Sequence, residues 1–358
     1  EAPHEDRLTS MLNDSAQQAL ELELNIEPPP AEMETLADAS RAPVTEPGSY
    51  SGGTGLFQKQ SDCPFRAFAE IRLKAKAVST PRPGLDAGTR GSLVHKALEA
   101  FWRDQKDASH LHSIDDEDLQ QQIEQSAEQA LREQFSRYRL AISRASRALE
   151  KQRLIKLLQQ WLEVEKQRPA FRVQALEQPV EITLGGIQTN GSIDRIDRLD
   201  TGNQADQPTL LIDYKTGASA GSGQWLPEAR MRDVQLPAYA LSLQAAPSGI
   251  AFARLLPANV EFDGIQSASE GNGSHATTDT PGIRIIGRFT RKHALGEHES
   301  WLELLNDWRS RLEALAEQFL AGQAEVNPRD DQRCRYCHLH AFCRIHERAV
   351  FSPDETNE

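Results

Sequence analysis

The sequence of 358 residues lacks any uninterrupted apolar run that approaches the length of a membrane span. Its N-terminus also lacks the basic start and apolar block that are typical of an export signal. We therefore expect a soluble protein that works in the cytoplasm and has no membrane partner. The first residue is Glu1 rather than methionine, so we also expect a fragment of a longer protein or a processed product.

A phosphate-binding loop of the form G-x-x-x-x-G-K-[ST] is also absent, which excludes a P-loop motor within this chain. Basic charge is in short supply, because the formal net charge is −13 and a nucleic-acid partner calls for a basic surface. The deficit is uneven, however. Residues 1–48 hold eleven acidic and two basic side chains, a net of −9, so the remaining residues carry only −4. A nearly balanced body does not exclude DNA as a partner.

The acidic first segment contains three consecutive prolines after Glu27 and predicts a poorly ordered linker or tail over residues 1–48. We expect one domain over 49–346 and a short tail over 347–358. Within the domain we predict a core at about 86–104 and 170–290. A helical insertion is predicted at about 105–168, and a C-terminal helix with a cysteine-rich region at 299–346.

Apolar spacing predicts the secondary structure of this domain. The predicted helices cover 86–102, a long amphipathic region from about 114 to 167, 233–243 and 299–320. Strands are predicted at 171–184 and 187–199, separated by the turn signal Gly185-Gly186, and then at 208–213, 250–256 and 283–286. One helix, three strands, one helix and further strands describe a compact α/β core.

The tripeptide Asp213-Tyr214-Lys215 ends an apolar run at 208–212. Residues two apart on a strand project from the same face, so the carboxylate of Asp213 and the ammonium of Lys215 are predicted to lie side by side. A hard divalent cation needs such an oxygen ligand, and a water that attacks a phosphodiester needs positive charge beside it. A solvated surface ion pair is the alternative for this tripeptide.

Other segments offer side chains that could join this pair. His95 lies on the first predicted helix, and Asp194 lies on the strand that precedes the one of Asp213. Neighbouring strands are close enough for Asp194 and Asp213 to share one cation. Gln235 and Tyr239 are four residues apart and therefore share one face of a helix.

Each of these residues also has a purely structural alternative. A single helical histidine is more often structural or exposed than a ligand. Asp197 and Arg195 can form a salt bridge, and Gln235 and Tyr239 can cap and pack a helix.

The four cysteines are distributed unequally. Cys63 is alone, whereas Cys334, Cys337 and Cys343 form a C-x2-C-x5-C pattern near the end. Buried free thiols and a disulfide are the simple alternatives, but a short C-x2-C arm without an export signal favours a metal site. Zinc and an iron–sulfur cluster both accept four thiolates, and the spacing alone does not decide between them.

The order and spacing of these motifs resemble the PD-(D/E)xK nuclease superfamily, and specifically its RecB/AddB-like branch, over about Gly52 to His346. The resemblance implies a restriction-endonuclease-like α/β core of order α-β-β-β-α-β, with a helical insertion and a C-terminal cysteine-rich Fe-S staple. In this sequence the family's helical histidine would be His95 and its first acid Asp194. Its D-x-K pair would be Asp213 and Lys215, and its Q-x-x-x-Y pair Gln235 and Tyr239. The proline that gives the superfamily its name is replaced by Ile193.

Metal-assisted phosphodiester hydrolysis is the chemistry that this resemblance implies. The ligands of Mg²⁺ or Mn²⁺ would be His95, Asp194, Asp213 and the carbonyl of Tyr214. Lys215 would orient or help to deprotonate the attacking water and offset negative charge. Gln235 and Tyr239 would bind and position the substrate backbone and support Lys215.

The resemblance also implies a [4Fe–4S] cluster that joins the two ends of the domain through four cysteines, with zinc as the alternative: Cys63, Cys334, Cys337 and Cys343. The implied function is an exonuclease-type DNA nuclease in repair or recombination that acts on single-stranded or end-processed DNA. Its helicase module would lie elsewhere in the full-length protein or on a partner subunit. The competing hypothesis is an inactive DNA-binding scaffold whose metal cluster is structural or redox-sensing.

Overall fold

The structure is a computed structural model that describes residues 41–78, 84–104, 107–138, 143–200, 208–217, 221–225, 229–257, 259–267, 280–286, 298 and 300–346. The predicted tail at 347–358 lies outside these residues, as does the predicted N-terminal segment up to residue 40. Among the described residues, no helix is both long enough and apolar enough to cross a bilayer.

Two long antiparallel strands form the hairpin on which the fold is built: β2 (Phe171–Leu184) and β3 (Ile187–Leu199). Gly185 and Gly186 connect them with φ values of 54° and 83°. A two-residue hairpin turn of this kind needs positive φ at both positions, which glycine adopts without steric cost. The turn signal at this position is confirmed.

The other strands extend this hairpin into one mixed sheet. Their bounds are β1 (Gly48–Ser49), β4 (Thr209–Lys215), β5 (Gly249–Leu256), β6 (Asn259–Gln266) and β7 (Ile283–Ile285). Within the described residues the order is β1-β3-β4-β5-β6-β7, and β2 pairs with β3. β4 is antiparallel to β3 and parallel to β5. The sequence reasoning missed β6, whose apolar positions are interrupted by Glu261 and Asp263.

Helices cover both faces of the sheet. Their bounds are α1 (Thr54–Asp62), α2 (Pro64–Ala67), α3 (Ala87–Asp104), α4 (Ala108–Ser113), α5 (Asp116–Tyr138), α6 (Arg144–Glu165), α7 (Gln235–Ser242), α8 (Trp301–Leu320), α9 (Asp331–Arg335) and α10 (His340–Cys343). Buried residues of α1, α7 and α8 pack on one face of the sheet. Those of α3, α5 and α6 pack on the other. The helical region predicted from about 114 to 167 therefore consists of two helices, α5 and α6.

Apolar burial holds these layers together. Trp161 on α6 and Trp308 on α8 are both fully buried, on opposite faces of the sheet. The indole nitrogen of Trp308 donates to the carbonyl of Trp225 at 2.9 Å, so its polar atom is satisfied. Full burial of a large apolar side chain contributes about 1.5–3 kcal/mol. The two cores fix the sheet, and with it the end of β4.

A buried group of four charged side chains joins β3 to the C-terminal end of α6. Arg195 contacts Asp197 at 2.6 Å and Glu165 at 2.7 Å, and Arg168 contacts Glu165 at 2.7 Å and Asp197 at 2.8 Å. All four side chains have no exposed surface. The guanidinium of Arg195 also lies 4.1 Å from the ring centroid of Trp102. The structural alternative for Asp197 and Arg195 is thus confirmed, and two positive charges balance two negative ones.

Removal of one charge from this group should destabilise the fold. In Glu165→Gln, Asp197 alone would face two buried guanidinium groups, so we expect the free energy of unfolding to fall by about 3–5 kcal/mol. Urea unfolding followed by circular dichroism measures this loss. Glu163→Gln on the same helix is the control, because its carboxylate is exposed and should change stability by less than about 1 kcal/mol. Equal stabilities of the two variants would contradict the prediction.

Candidate active site

The site forms where β4 ends. Successive side chains of this strand point to opposite faces of the sheet. Asp213 and Lys215 project from one face, and their Oδ2 and Nζ atoms are 2.6 Å apart. Tyr214 projects from the other face, into the core with Trp161. Asp213 is 2% exposed, so the predicted pair of charges is not a solvated surface pair.

Helix α7 supplies the second partner of Lys215. The Nζ atom of Lys215 donates to Oε1 of Gln235 at 2.7 Å, and Gln235 is the first residue of α7. Asp233 fixes this helix start, because its Oδ1 accepts from the backbone N–H of Gln235 at 3.2 Å and from the indole of Trp225 at 3.1 Å. Sequence reasoning did not single out Asp233.

Tyr239, one turn further along α7, packs directly on β3. A Cβ atom at Gly191 would lie 2.5 Å from Cε1 of Tyr239, so only glycine leaves space for the ring. Tyr239 is 5% exposed. Burial raises the pKa of its phenol, although hydrogen bonds with Gln235 and the Ser192 backbone act in the opposite direction. Gln235 and Tyr239 therefore join α7 to both β3 and β4.

His95 and Asp194 complete the cluster from α3 and β3. His95 Nε2 is 2.8 Å from the carbonyl oxygen of Tyr214, and His95 Nδ1 is 3.4 Å from Oδ2 of Asp194. The same Asp194 oxygen accepts from the backbone N–H of Tyr214 at 2.8 Å. The structure thus brings all six predicted side chains and the Tyr214 carbonyl together at the end of β4.

Crowding of negative charge perturbs the titration of this cluster. Burial, together with the charge of Asp194, raises the pKa of Asp213 to about 7 despite the attraction of Lys215. Burial opposes the charged form of His95, but the hydrogen bond and charge of Asp194 outweigh it and raise the pKa of His95 to about 9. Burial also acts against charged Lys215, yet Asp213 raises its pKa above 10.5. Lys215 is therefore an ammonium at neutral pH.

The donor chemistry of this cluster fits a hard divalent cation. Ligand atoms of His95, Glu177 and Asp194 all lie within 4.8 Å of one another, and Asp213 adds a buried carboxylate nearby. Buried carboxylates that repel one another are stabilised by a cation, and oxygen ligands suit Mg²⁺ and Mn²⁺.

Glu177 was missed in the sequence. Leu184 pairs with Ile187 across the hairpin turn, and counting back from that pair places Glu177 directly opposite Asp194. The turn and the register were therefore sufficient to find it.

The four cysteines converge at a second place. Cys63 lies between α1 and α2, and all four cysteines line one small cavity. Each is a free thiol, so the disulfide alternative does not apply. Burial raises the pKa of Cys334, and so do the charges of Cys343, Cys337 and Cys63. Four cysteine sulfurs that meet at one cavity are a ligand set that fits a thiolate-bound metal centre.

Imidazoles also approach this cavity. His340 Nε2 lies 3.8 Å from Sγ of Cys334, and ligand atoms of Cys334, His340 and His346 lie within 4.8 Å of one another. Within the described residues, no three cysteine sulfur atoms are that close together. The Cys334, His340 and His346 group is therefore an alternative metal-binding set.

Comparison with known proteins gives one family. A family model described as the PD-(D/E)XK nuclease superfamily matches residues 57–344. A search of curated proteins found no match. The matched segment contains both the cluster around β4 and the four cysteines.

The raised pKa of Asp213 predicts a stability that depends on pH. The folded protein favours the protonated carboxyl, so ionisation of Asp213 lowers stability as pH rises from about 4 to about 7. Asparagine cannot ionise. We therefore expect Asp213→Asn, without divalent cations, to melt at least about 2 °C above the parent at pH 8, with a smaller difference at pH 5.

Differential scanning fluorimetry across this pH range measures both melting temperatures. Asp118→Asn, which removes an exposed carboxylate in the first turn of α5, is the control and should not raise the melting temperature at either pH. If the parent is as stable as Asp213→Asn at pH 8, the ionised Asp213 carboxylate does not destabilise the folded protein and the prediction is wrong.

Proposed function

Because the chain belongs to the PD-(D/E)XK nuclease superfamily, we propose that it is a DNA nuclease that depends on Mg²⁺ or Mn²⁺. Members of this superfamily cleave phosphodiester bonds. The observation that carries the proposal is the meeting of Asp194 on β3 with Asp213 and Lys215 at the end of β4, with His95 beside them. These are the side chains that metal-assisted hydrolysis requires.

The proposed ligands of the catalytic cation are His95, Asp194, Asp213 and the carbonyl of Tyr214. When bound, the cation supplies Lewis-acid stabilisation of the phosphate and lowers the pKa of the attacking water. As a ligand His95 would have to be neutral, because only the neutral imidazole has a free lone pair. The contact between His95 and the Tyr214 carbonyl supports this set, since both groups face the same space.

Lys215 is proposed to stabilise charge rather than to remove a proton. Its ammonium is held between Asp213 and Gln235, and its raised pKa keeps it protonated. A fixed positive charge of this kind orients the attacking water and offsets negative charge in the transition state.

Gln235 and Tyr239 are proposed to position this machinery and the DNA backbone. The Gln235 amide holds the ammonium of Lys215, and Tyr239 locks α7 against Gly191. The low exposure of Tyr239 supports a positioning role for its ring. A contact between either side chain and the phosphate backbone remains a prediction.

The finer biological role follows from the resemblance to the RecB/AddB-like branch. We propose exonuclease-type cleavage of single-stranded or end-processed DNA during repair or recombination in the cytoplasm. The domain at 49–346 would be the nuclease part of a protein that also uses a helicase module, located elsewhere in the full-length protein or on a partner subunit. The helices of 105–168 would form an insertion in that domain.

For the cysteines we propose a [4Fe–4S] cluster. All four cysteines, Cys63, Cys334, Cys337 and Cys343, line one cavity, and four thiolates suit either an iron–sulfur cluster or zinc. The resemblance to the RecB/AddB-like branch favours the cluster, and zinc is the alternative.

Contacts around Cys63 support the proposed staple. The backbone N–H of Arg329 donates to the carbonyl of Asp62 at 2.7 Å, and the ring centroids of Phe65 and Phe342 are 5.2 Å apart. A metal centre held by these cysteines would close a loop from Cys63 to Cys334. Closure of so long a loop is entropically costly, so the metal should stabilise the closed domain.

Loss of the Lys215 ammonium should remove DNA cleavage without unfolding the protein. We expect Lys215→Ala to lower the cleavage rate at least about 100-fold, because a preorganised positive charge is lost from the transition state. Release of label from single- and double-stranded DNA with free or blocked ends, in Mn²⁺, measures the rate.

Lys156→Ala on α6 is the matched control. Because the Lys156 side chain is exposed, this variant should cleave DNA at the parental rate. Parental cleavage by Lys215→Ala would reject the assignment. A parent that binds DNA but never cuts it would favour the inactive scaffold instead.

The cluster proposal predicts bound iron. Protein purified without oxygen should contain about four iron atoms per chain, the number in the proposed cluster, with broad visible charge-transfer absorbance. Cys337→Ser should lose both the iron and the visible absorbance. It should also melt at a lower temperature, because the metal centre no longer joins the two ends of the domain. His338→Ala, an exposed neighbour, should keep both. One zinc and no iron in the anaerobic parent would identify the alternative metal.

A further inference from the structure

A third carboxylate stands at the edge of the site, on the strand that precedes Asp194. The pairs Leu176–Arg195 and Gln178–Ile193 enclose Glu177 and Asp194, which are therefore directly opposite each other on β2 and β3. Side chains of directly opposite residues lie on the same face of the sheet. The hairpin register thus places the two residues beside each other, and a ligand atom of Glu177 lies within 4.8 Å of one of Asp194.

The polar atoms at this place form a compact set. One ligand atom each from Glu177, His95 and Asp194 lies within 4.8 Å of the other two. Asp213 is not part of this set and lies on the Lys215 side of the cluster. A cation between His95 and Asp194 would therefore have Asp213 on one side and Glu177 on another.

Structural roles account poorly for a glutamate at this position. Its single described hydrogen bond comes from the Ser192 hydroxyl to Oε2 at 3.2 Å. Among the described residues, no lysine or arginine forms an ion pair with it, so its charge faces Asp194 without a permanent cation. Its φ of 45° lies in the left-handed region that glycine favours. A glycine at this position would remove both the unfavourable backbone conformation and the charge repulsion with Asp194, but it would also remove the carboxylate.

We propose that Glu177 is a further ligand of the divalent cation, on the His95–Asp194 side of the site. The inference rests on the proposed nuclease function and extends its ligand set by one residue. Mg²⁺ and Mn²⁺ prefer several oxygen ligands, and each additional carboxylate supplies negative charge that the cation offsets. Glu177 would thereby increase affinity for the cation and keep it at the Asp194 end of the cluster.

Mn²⁺ binding tests the role of Glu177 without dependence on catalysis. The titration follows the loss of the free Mn²⁺ signal in electron paramagnetic resonance, on full-length chain purified without oxygen. Glu177→Gln keeps the size and the acceptor for Ser192 but removes the charge, and we expect its Mn²⁺ dissociation constant to rise at least about 10-fold. Glu181→Gln, an exposed position on the same strand, should bind Mn²⁺ like the parent.

Thermal melting supplies a second readout. Without metal, Glu177→Gln should be as stable as the parent or more so, because a repulsive charge is gone. Added Mn²⁺ should raise its melting temperature less than that of the parent. Should Glu177→Gln fail to fold, Glu177→Asp retains the charge but displaces the oxygen, and it should bind Mn²⁺ more weakly than the parent.

The outcomes separate this inference from the nuclease proposal. If Glu177→Gln binds Mn²⁺ as tightly as the parent, Glu177 is not a ligand, even if the parent cuts DNA. The same holds for Glu177→Asp if Glu177→Gln fails to fold. If Glu177→Gln binds Mn²⁺ more weakly than the parent but the parent cuts no DNA, the role of Glu177 as a ligand is supported and the nuclease is rejected. A parent that binds no Mn²⁺ overturns both.

Discussion

The site depends on the way Tyr214 is held within β4. Its phenol accepts from Arg195 at 3.3 Å, and Arg195 is itself fixed by Asp197 and Glu165 in a group of balanced buried charges. Because neighbouring residues on a strand face opposite ways, a fixed Tyr214 forces Asp213 and Lys215 toward α7. Helix α6 contributes directly to this constraint, since Glu165 is its last residue.

Electrostatic crowding is the second constraint on the site. Asp194, Asp213 and Glu177 place carboxylates around one space, and burial strengthens their repulsion because little water is present to screen it. Lys215 and protonated His95 compensate for part of that charge in the metal-free protein. In the proposed nuclease, this arrangement would lower stability in exchange for affinity toward a cation, which is a common compromise at functional sites.

Local sequence determined much of the fold. Gly185-Gly186 specified the hairpin turn, and the apolar periods of 86–102, 171–199 and 299–320 specified a helix, two strands and a helix. The spacing of Asp213 and Lys215 was enough to place them on one face, because the side-chain period of a strand is two. β6 escaped prediction because tertiary pairing with β5 overrides its weak pattern.

Tertiary structure decided what these elements do together. Only the packing of α3 against β4 brings His95 to the Tyr214 carbonyl, and only the docking of the C-terminal segment on α1 and α2 brings Cys63 to the other cysteines. The sequence by itself determined which side chains can share a strand or a helix face, because those periods are local. The shifted pKa values and the meeting of the cysteines depend on burial and on contacts between residues far apart in the chain, which no local pattern contains.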